Sequence, residues 1–136
     1  MSFPVINLIH VVITAVVVFA FGAIWFGPLF GKQWMKMAKV TKKNGMNPAQ
    51  AMILEYISTF IMTVFTAFFV YKLGLSSYLD GALLGVYLAV GFSATAALAA
   101  VLWEQKPAGL YIICVSQRII ATAIAGGLLT YLASRY

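Results

Sequence analysis

Gly31-Lys32-Gln33-Trp34-Met35-Lys36-Met37-Ala38-Lys39-Val40-Thr41-Lys42-Lys43 holds five of the nine basic residues in a chain of 136. Long apolar runs flank it on both sides. Hydrophobic residues make up 63% of the chain and charged ones 9%. A water-soluble domain carries about a quarter charged residues to cover its surface. The apolar excess must therefore face something other than water, and lipid is the simple answer. The lysine stretch then marks the side of the membrane that stays in the cytoplasm. The formal net charge is +6. In a soluble domain that would raise nucleic acid as a partner. Here the lysines flank apolar spans, so attraction to anionic lipid headgroups accounts for them and no nucleic-acid partner is expected.

A membrane helix needs about 20 apolar residues. Four runs qualify, at about 5–26, 49–71, 81–103 and 108–131, within a single domain covering 1–136. Gly27-Pro28 is expected to close the first. Asn44-Gly45, Asn47-Pro48, Gly74 with Ser76-Ser77, and Lys106-Pro107 supply the turns between the others. The runs lack the alternation of barrel strands, so the fold class is all-α: a polytopic four-transmembrane-helix bundle. Trp34, Met35 and Met37 interleave with lysines after the first span, which suits a short basic helix lying in the membrane interface. The first run has no positive n-region and no Ala-x-Ala site, so it reads as a retained helix.

The first and third connections carry Lys32, Lys36, Lys39, Lys42, Lys43 and Lys106, against Lys72 and Arg135 on the other side. That bias places the first and third connections in the cytoplasm and both termini outside, in a plasma (inner) membrane. Trp25, Trp34 and Trp103 fall at the lysine-rich interface, and Tyr71, Tyr78, Tyr131 and Tyr136 at the opposite one.

Lipid tails give helices no hydrophobic reason to associate, so close contact must do it. Gly81, Gly85 and Ala89 recur every four residues on the third span, and Ala121, Ala125, Gly126 and Gly127 add small residues to the fourth. Spans three and four are expected to be central, with the second turning Phe60, Phe65, Phe68 and Phe69 to lipid. Four short helices bury little surface, which is compatible with a homo-oligomer.

An Arg at the centre of a membrane helix costs about 2.5–3.5 kcal/mol on insertion scales. Arg118 lies roughly 16 Å from the Pro107 edge and Glu55 roughly 10 Å from Pro48 at 1.5 Å per residue. An Arg118–Glu55 pair between spans two and four is the first expectation. Thr59, Thr95, Thr14 and Gln117 lie at similar depth. Together the six residues are candidates for a ligand-binding polar site near the midplane, set against a hydrogen-bond cluster that holds the bundle together, which is the commoner use of such contacts. His10 has no second ligand at metal spacing, and Cys114, the only cysteine, reads as a small core residue. Neither metal nor cofactor is expected, and no catalytic residue or motif is present.

The run Gly22-Ala23-Ile24-Trp25-Phe26-Gly27-Pro28-Leu29-Phe30-Gly31-Lys32-Gln33-Trp34-Met35 resembles the first-helix signature of domain of unknown function family 1761. Gly91-Phe92-Ser93-Ala94-Thr95 with Leu102-Trp103-Glu104 is similar to its third-helix pattern, and Gly126 falls where that family places a small residue. The resemblance implies small four-helix membrane proteins and no particular activity.

Three functional readings follow. The first is a transporter-like or channel-like ligand-binding bundle. The second is a structural or accessory membrane protein that self-assembles or binds a partner. The third is an intramembrane enzyme acting on a lipophilic substrate, for which only size and Arg118 speak.

Overall fold

A computed structural model describes residues 2–39 and 47–135, so Lys42, Lys43, the Asn44-Gly45 turn and Tyr136 lie outside it. The chain folds into helices α1 (Leu8–Ile24), α2 (Gly31–Ala38), α3 (Pro48–Leu73), α4 (Tyr78–Leu88), α5 (Thr95–Leu102) and α6 (Ala108–Arg135). A wide π-turn at Trp25–Leu29 extends α1, and a second at Ala89–Ala94 joins α4 to α5. Four continuous rods result, Leu8–Leu29, Pro48–Leu73, Tyr78–Leu102 and Ala108–Arg135, each long and apolar enough to cross a membrane. No strand occurs among the described residues.

Local chemistry sets the ends. Asn7 Oδ1 accepts from the Ile9 amide at 3.0 Å, and Asn47 Oδ1 from the Ala49 amide at 2.9 Å. Both are N-caps, and Pro48 takes the first helical position, where its missing N–H costs nothing. Gly74 closes α3 at φ +63°, with its amide bonded to the Tyr71 carbonyl and the Leu75 amide to the Val70 carbonyl, both at 3.2 Å. That is the crossed pair of bonds that a left-handed glycine permits at a helix end.

Gly27-Pro28 does not close the first span. Pro28 sits inside the π-turn, and the Phe30 amide reaches the Trp25 carbonyl at 2.9 Å. A proline has no amide to give the preceding turn, so the helix widens by one residue and continues. After Phe30 the short helix α2 begins, with Lys32 and Lys36 exposed and Lys39 at its left-handed C-cap.

Burial is lopsided along the bundle. The half that holds Asn7, Gly74 and Arg135, called here the terminal half, has a packed core. Val11, Ala67, Val70 and Leu129 form one cluster; Val18, Ala121 and Ala125 form the next. The other half, called the loop half, has none of this. No residue is buried in 19–30 of α1 and its turn, 48–58 of α3, 95–102 of α5 or 108–116 of α6.

The central rod is α6, which packs on α1, α3 and α4. The third rod is not central, contrary to the reading of its glycine stripe. It packs almost entirely on α6, and it is the least buried of the four. The reason lies in how close that one contact is. A Cβ placed on Gly85 would collide with the Thr122 carbonyl, on Gly81 with the Thr130 hydroxyl, and on Gly126 with the Gly81 carbonyl. The stripe is used on a single partner, and the opposite face, with Leu79, Leu83, Tyr87 and Val90, stays uncovered. On α3, Phe65 and Phe69 are exposed as expected, whereas Phe68 is half-buried and its ring lies 5.1 Å from that of Phe3.

Candidate functional site

The six polar residues singled out from sequence separate into two groups. Thr14, Thr59 and Gln117 are buried; Arg118, Glu55 and Thr95 are exposed. Among the described residues no ion pair joins Arg118 to Glu55, which corrects the expected pairing. Glu55 lies one turn outside Thr59, the first buried residue of α3, whereas Arg118 lies one residue inside Gln117, the first buried residue of α6, and its side chain is exposed. Helix periodicity still relates them. Arg118 continues the Ala121 and Ala125 stripe, and Glu55 is two turns from Met62, which packs on that same cluster.

Arg118 therefore sits where the core ends. Gln117, its neighbour, is the first buried residue of α6, and its amide nitrogen packs on Gly22 of α1, where an added Cβ would touch it at 3.4 Å. Thr95 does not reach this level as a ligand. Its hydroxyl donates to the Gly91 carbonyl at 2.8 Å and lies 3.2 Å from that of Phe92, so it serves the π-turn of its own rod. Thr59 is buried on α3, and its carbonyl accepts the Thr63 hydroxyl at 2.8 Å.

Thr14 behaves differently from four of the other buried threonines. Thr63, Thr66, Thr122 and Thr130 each donate to the carbonyl four residues back. The Thr14 hydroxyl has no partner among the described residues, and neither has Nδ1 of His10, one turn away on the same face. His10 Nε2 lies 3.4 Å from Nδ2 of the Asn7 side chain. Thr14 is two turns, roughly 12 Å, from Gly22 along α1, so it belongs to the terminal half and not beside Arg118.

Two long-range hydrogen bonds hold the loop half, and neither was anticipated from sequence. Trp25 Nε1 donates to the Ile113 carbonyl at 3.1 Å, and the Tyr111 hydroxyl donates to the Ala94 carbonyl at 2.9 Å. Each joins α6 to a rod at its π-turn, which supplies the donor in the first bond and the accepting carbonyl in the second. Pro28 was the only sequence signal for either turn. Ring contacts add to them, with Trp25 at 4.6 Å from Phe30 and Phe19 at 5.8 Å from Tyr56. Between α5 and α6 an apolar groove of about 190 Å³ is lined by Ala97, Ala100, Val101, Leu110, Tyr111 and Cys114, with Lys106 beside them. Arg118 does not line it.

The arrangement is that of a small four-helix protein whose rods are long and apolar enough to cross a membrane, packed most closely in the terminal half, with Arg118 exposed at the edge of that packing. The family described as "Protein of unknown function (DUF1761)" matches residues 9–130, and the chain belongs to that family. No curated protein and no solved structure matches the chain.

Proposed function

We propose that this protein is a multi-pass inner-membrane bundle that binds, and passes or carries, a polar anionic solute. The observation that carries this reading is the position of Arg118, exposed at the level where the packed core stops. A cation there meets a solute entering the open half and stops it against the sealed half. Charge inside a span is costly and is retained where a pathway or a binding site uses it. Gln117 and Thr59, at the same boundary, offer hydrogen bonds, and Glu55 sets the local balance of charge.

The orientation that goes with this reading places the loop half toward the cytoplasm, because Lys32, Lys36, Lys39 and Lys106 belong to it. α2 then lies along the inner headgroups with Trp34 and Met37 turned to the bundle; Met37 packs on Gly109 at the start of α6.

Detergent-solubilised protein tests the reading through its melting temperature in a panel of carboxylate, phosphate and sulfate salts at constant ionic strength. At least one anion is expected to raise it, and Arg118→Leu to remove the rise. A flat response of the parent protein, or an unchanged response in Arg118→Leu, overturns it.

A further inference from the structure

We propose that two copies of this chain associate side by side in the membrane, with Arg118 of each copy paired to the partner's Glu55. This goes beyond the reading above, giving Arg118 a second copy of the chain as its partner in place of a solute, and rests on it only for the membrane placement of the four rods.

Away from their ends, the four rods contain one basic residue, Arg118, and one acidic residue, Glu55. Both are exposed, and no ion pair joins them among the described residues. In hydrocarbon each is left seeking an opposite charge, and the only complement the sequence offers at that depth is the other. Their heights match. Arg118 is ten residues into α6 and Glu55 seven into α3, so they lie roughly 15 Å and 10 Å from the same, loop-side end of the bundle. The difference is within reach of an extended arginine.

Matched height is what a membrane dimer requires. Copies inserted by one charge bias share one orientation, so a two-fold axis runs along the membrane normal and residues meet partners at their own depth. Under that symmetry Arg118 meeting the partner's Glu55 implies the reciprocal pair as well, so two ion pairs form and no interior charge is left over. The loop half also has surface to give, since 48–58 of α3 and 95–102 of α5 contain no buried residue. A dimer seated there would cover the half of the bundle that one copy leaves open.

Two differently tagged copies, co-expressed and extracted in mild detergent, provide the test. Capture through one tag is expected to recover the other for the parent protein. When both copies carry R118E, or both carry E55R, recovery is expected to fall by about tenfold or more, as for the loss of a paired charge. When one copy carries R118E and the other E55R, each crossing again holds one acid and one base, and recovery is expected to return to the parent level. R118Q and E55Q remove charge without reversing it; each is expected to lower recovery in part and covers the case in which a reversed charge fails to insert.

Failure of the mixed pair to exceed either variant alone overturns the proposal, and so does a parent protein with no recovery. An ion pair within one chain is revealed if R118E with E55R in the same copy behaves as the parent while the mixed copies do not. An anionic lipid on Arg118 is revealed if E55R and E55Q leave recovery unchanged. Anion-dependent melting measured on the same preparations reports on the solute reading separately, so either idea can fail alone.

Discussion

The two halves of this bundle are built from similar residues and held by different means. In the terminal half, small side chains let helices approach until backbone touches backbone, and Val11, Val70 and Leu129 fill what remains. In the loop half, the same apolar composition leaves side chains half-buried at most, and the helices are tied by a tryptophan, a tyrosine and ring contacts. Hydrocarbon gives an apolar side chain no reason to prefer protein over lipid, so composition alone does not close a membrane bundle. Closure follows close fit, and Glu55 and Arg118 lie within about a turn of the level, at Thr59 and Gln117, where that fit stops.

The largest effect that separates the halves is expected from Gly85→Leu. Its side chain would drive into the Thr122 backbone, which cannot yield as a flexible side chain would. Overpacking typically costs about 1–3 kcal/mol and more where backbone is met. Unfolding monitored by helicity in a denaturing detergent should show the loss, while Gly91→Leu, where an added Cβ meets nothing, should melt close to the parent. Equal behaviour of the two variants would remove the basis for calling α4 and α6 a tight pair.

Next in size is Leu129→Ala against Leu102→Ala. Leu129 is fully buried and Leu102 is 64% exposed. The first is expected near the lower end of the roughly 2–5 kcal/mol seen for leucine truncation in water-soluble cores, because lipid and not water solvates the alternative. Leu102→Ala should change stability by less than about 0.5 kcal/mol.

A smaller effect is expected from the loop-half ties. Trp25→Phe and Tyr111→Phe each delete one hydrogen bond to a carbonyl, worth about 0.5–1.5 kcal/mol. The double variant should loosen the loop half before the terminal half. Hydrogen exchange would show it as faster exchange of amides in 108–116 with little change in 121–130. Smallest, and opposite in sign, is Thr14→Val. It removes a buried hydroxyl that has no partner, so stability should hold or rise slightly, whereas Thr63→Val removes a bonded one and should lower it.

Much of the fold was legible in the sequence, because a span is a local property: some 20 apolar residues and a turn declare themselves without reference to a partner. Asn47-Pro48, Gly74 and Lys106-Pro107 mark ends that the helices respect to within a few residues. The glycine stripe of the third rod was legible too, but its meaning was not. Gly81 and Gly85 announce a close contact without saying that it is the only one the rod makes. The open half left no trace, since Ile112 facing outward and Leu129 facing inward are equally apolar. Arg118 and Glu55 stood out by cost and depth, whereas whether they pair depends on how α3 and α6 face each other, which no single stretch encodes. Trp25 was read as an aromatic residue of the interface and Tyr111 was not singled out, because which distant carbonyl each reaches depends on how α6 packs against the other rods.

The most direct measurement is thiol accessibility along α3 in native membranes, after Cys114→Ala removes the endogenous cysteine. Single cysteines at Ser58 and Met52, in the loop half, should react readily with a small membrane-permeant maleimide, and those at Thr63 and Ala67 should be protected until the bundle is denatured. Uniform reaction along the helix, or protection at Ser58 equal to that at Ala67, would contradict a bundle sealed at one half and open at the other.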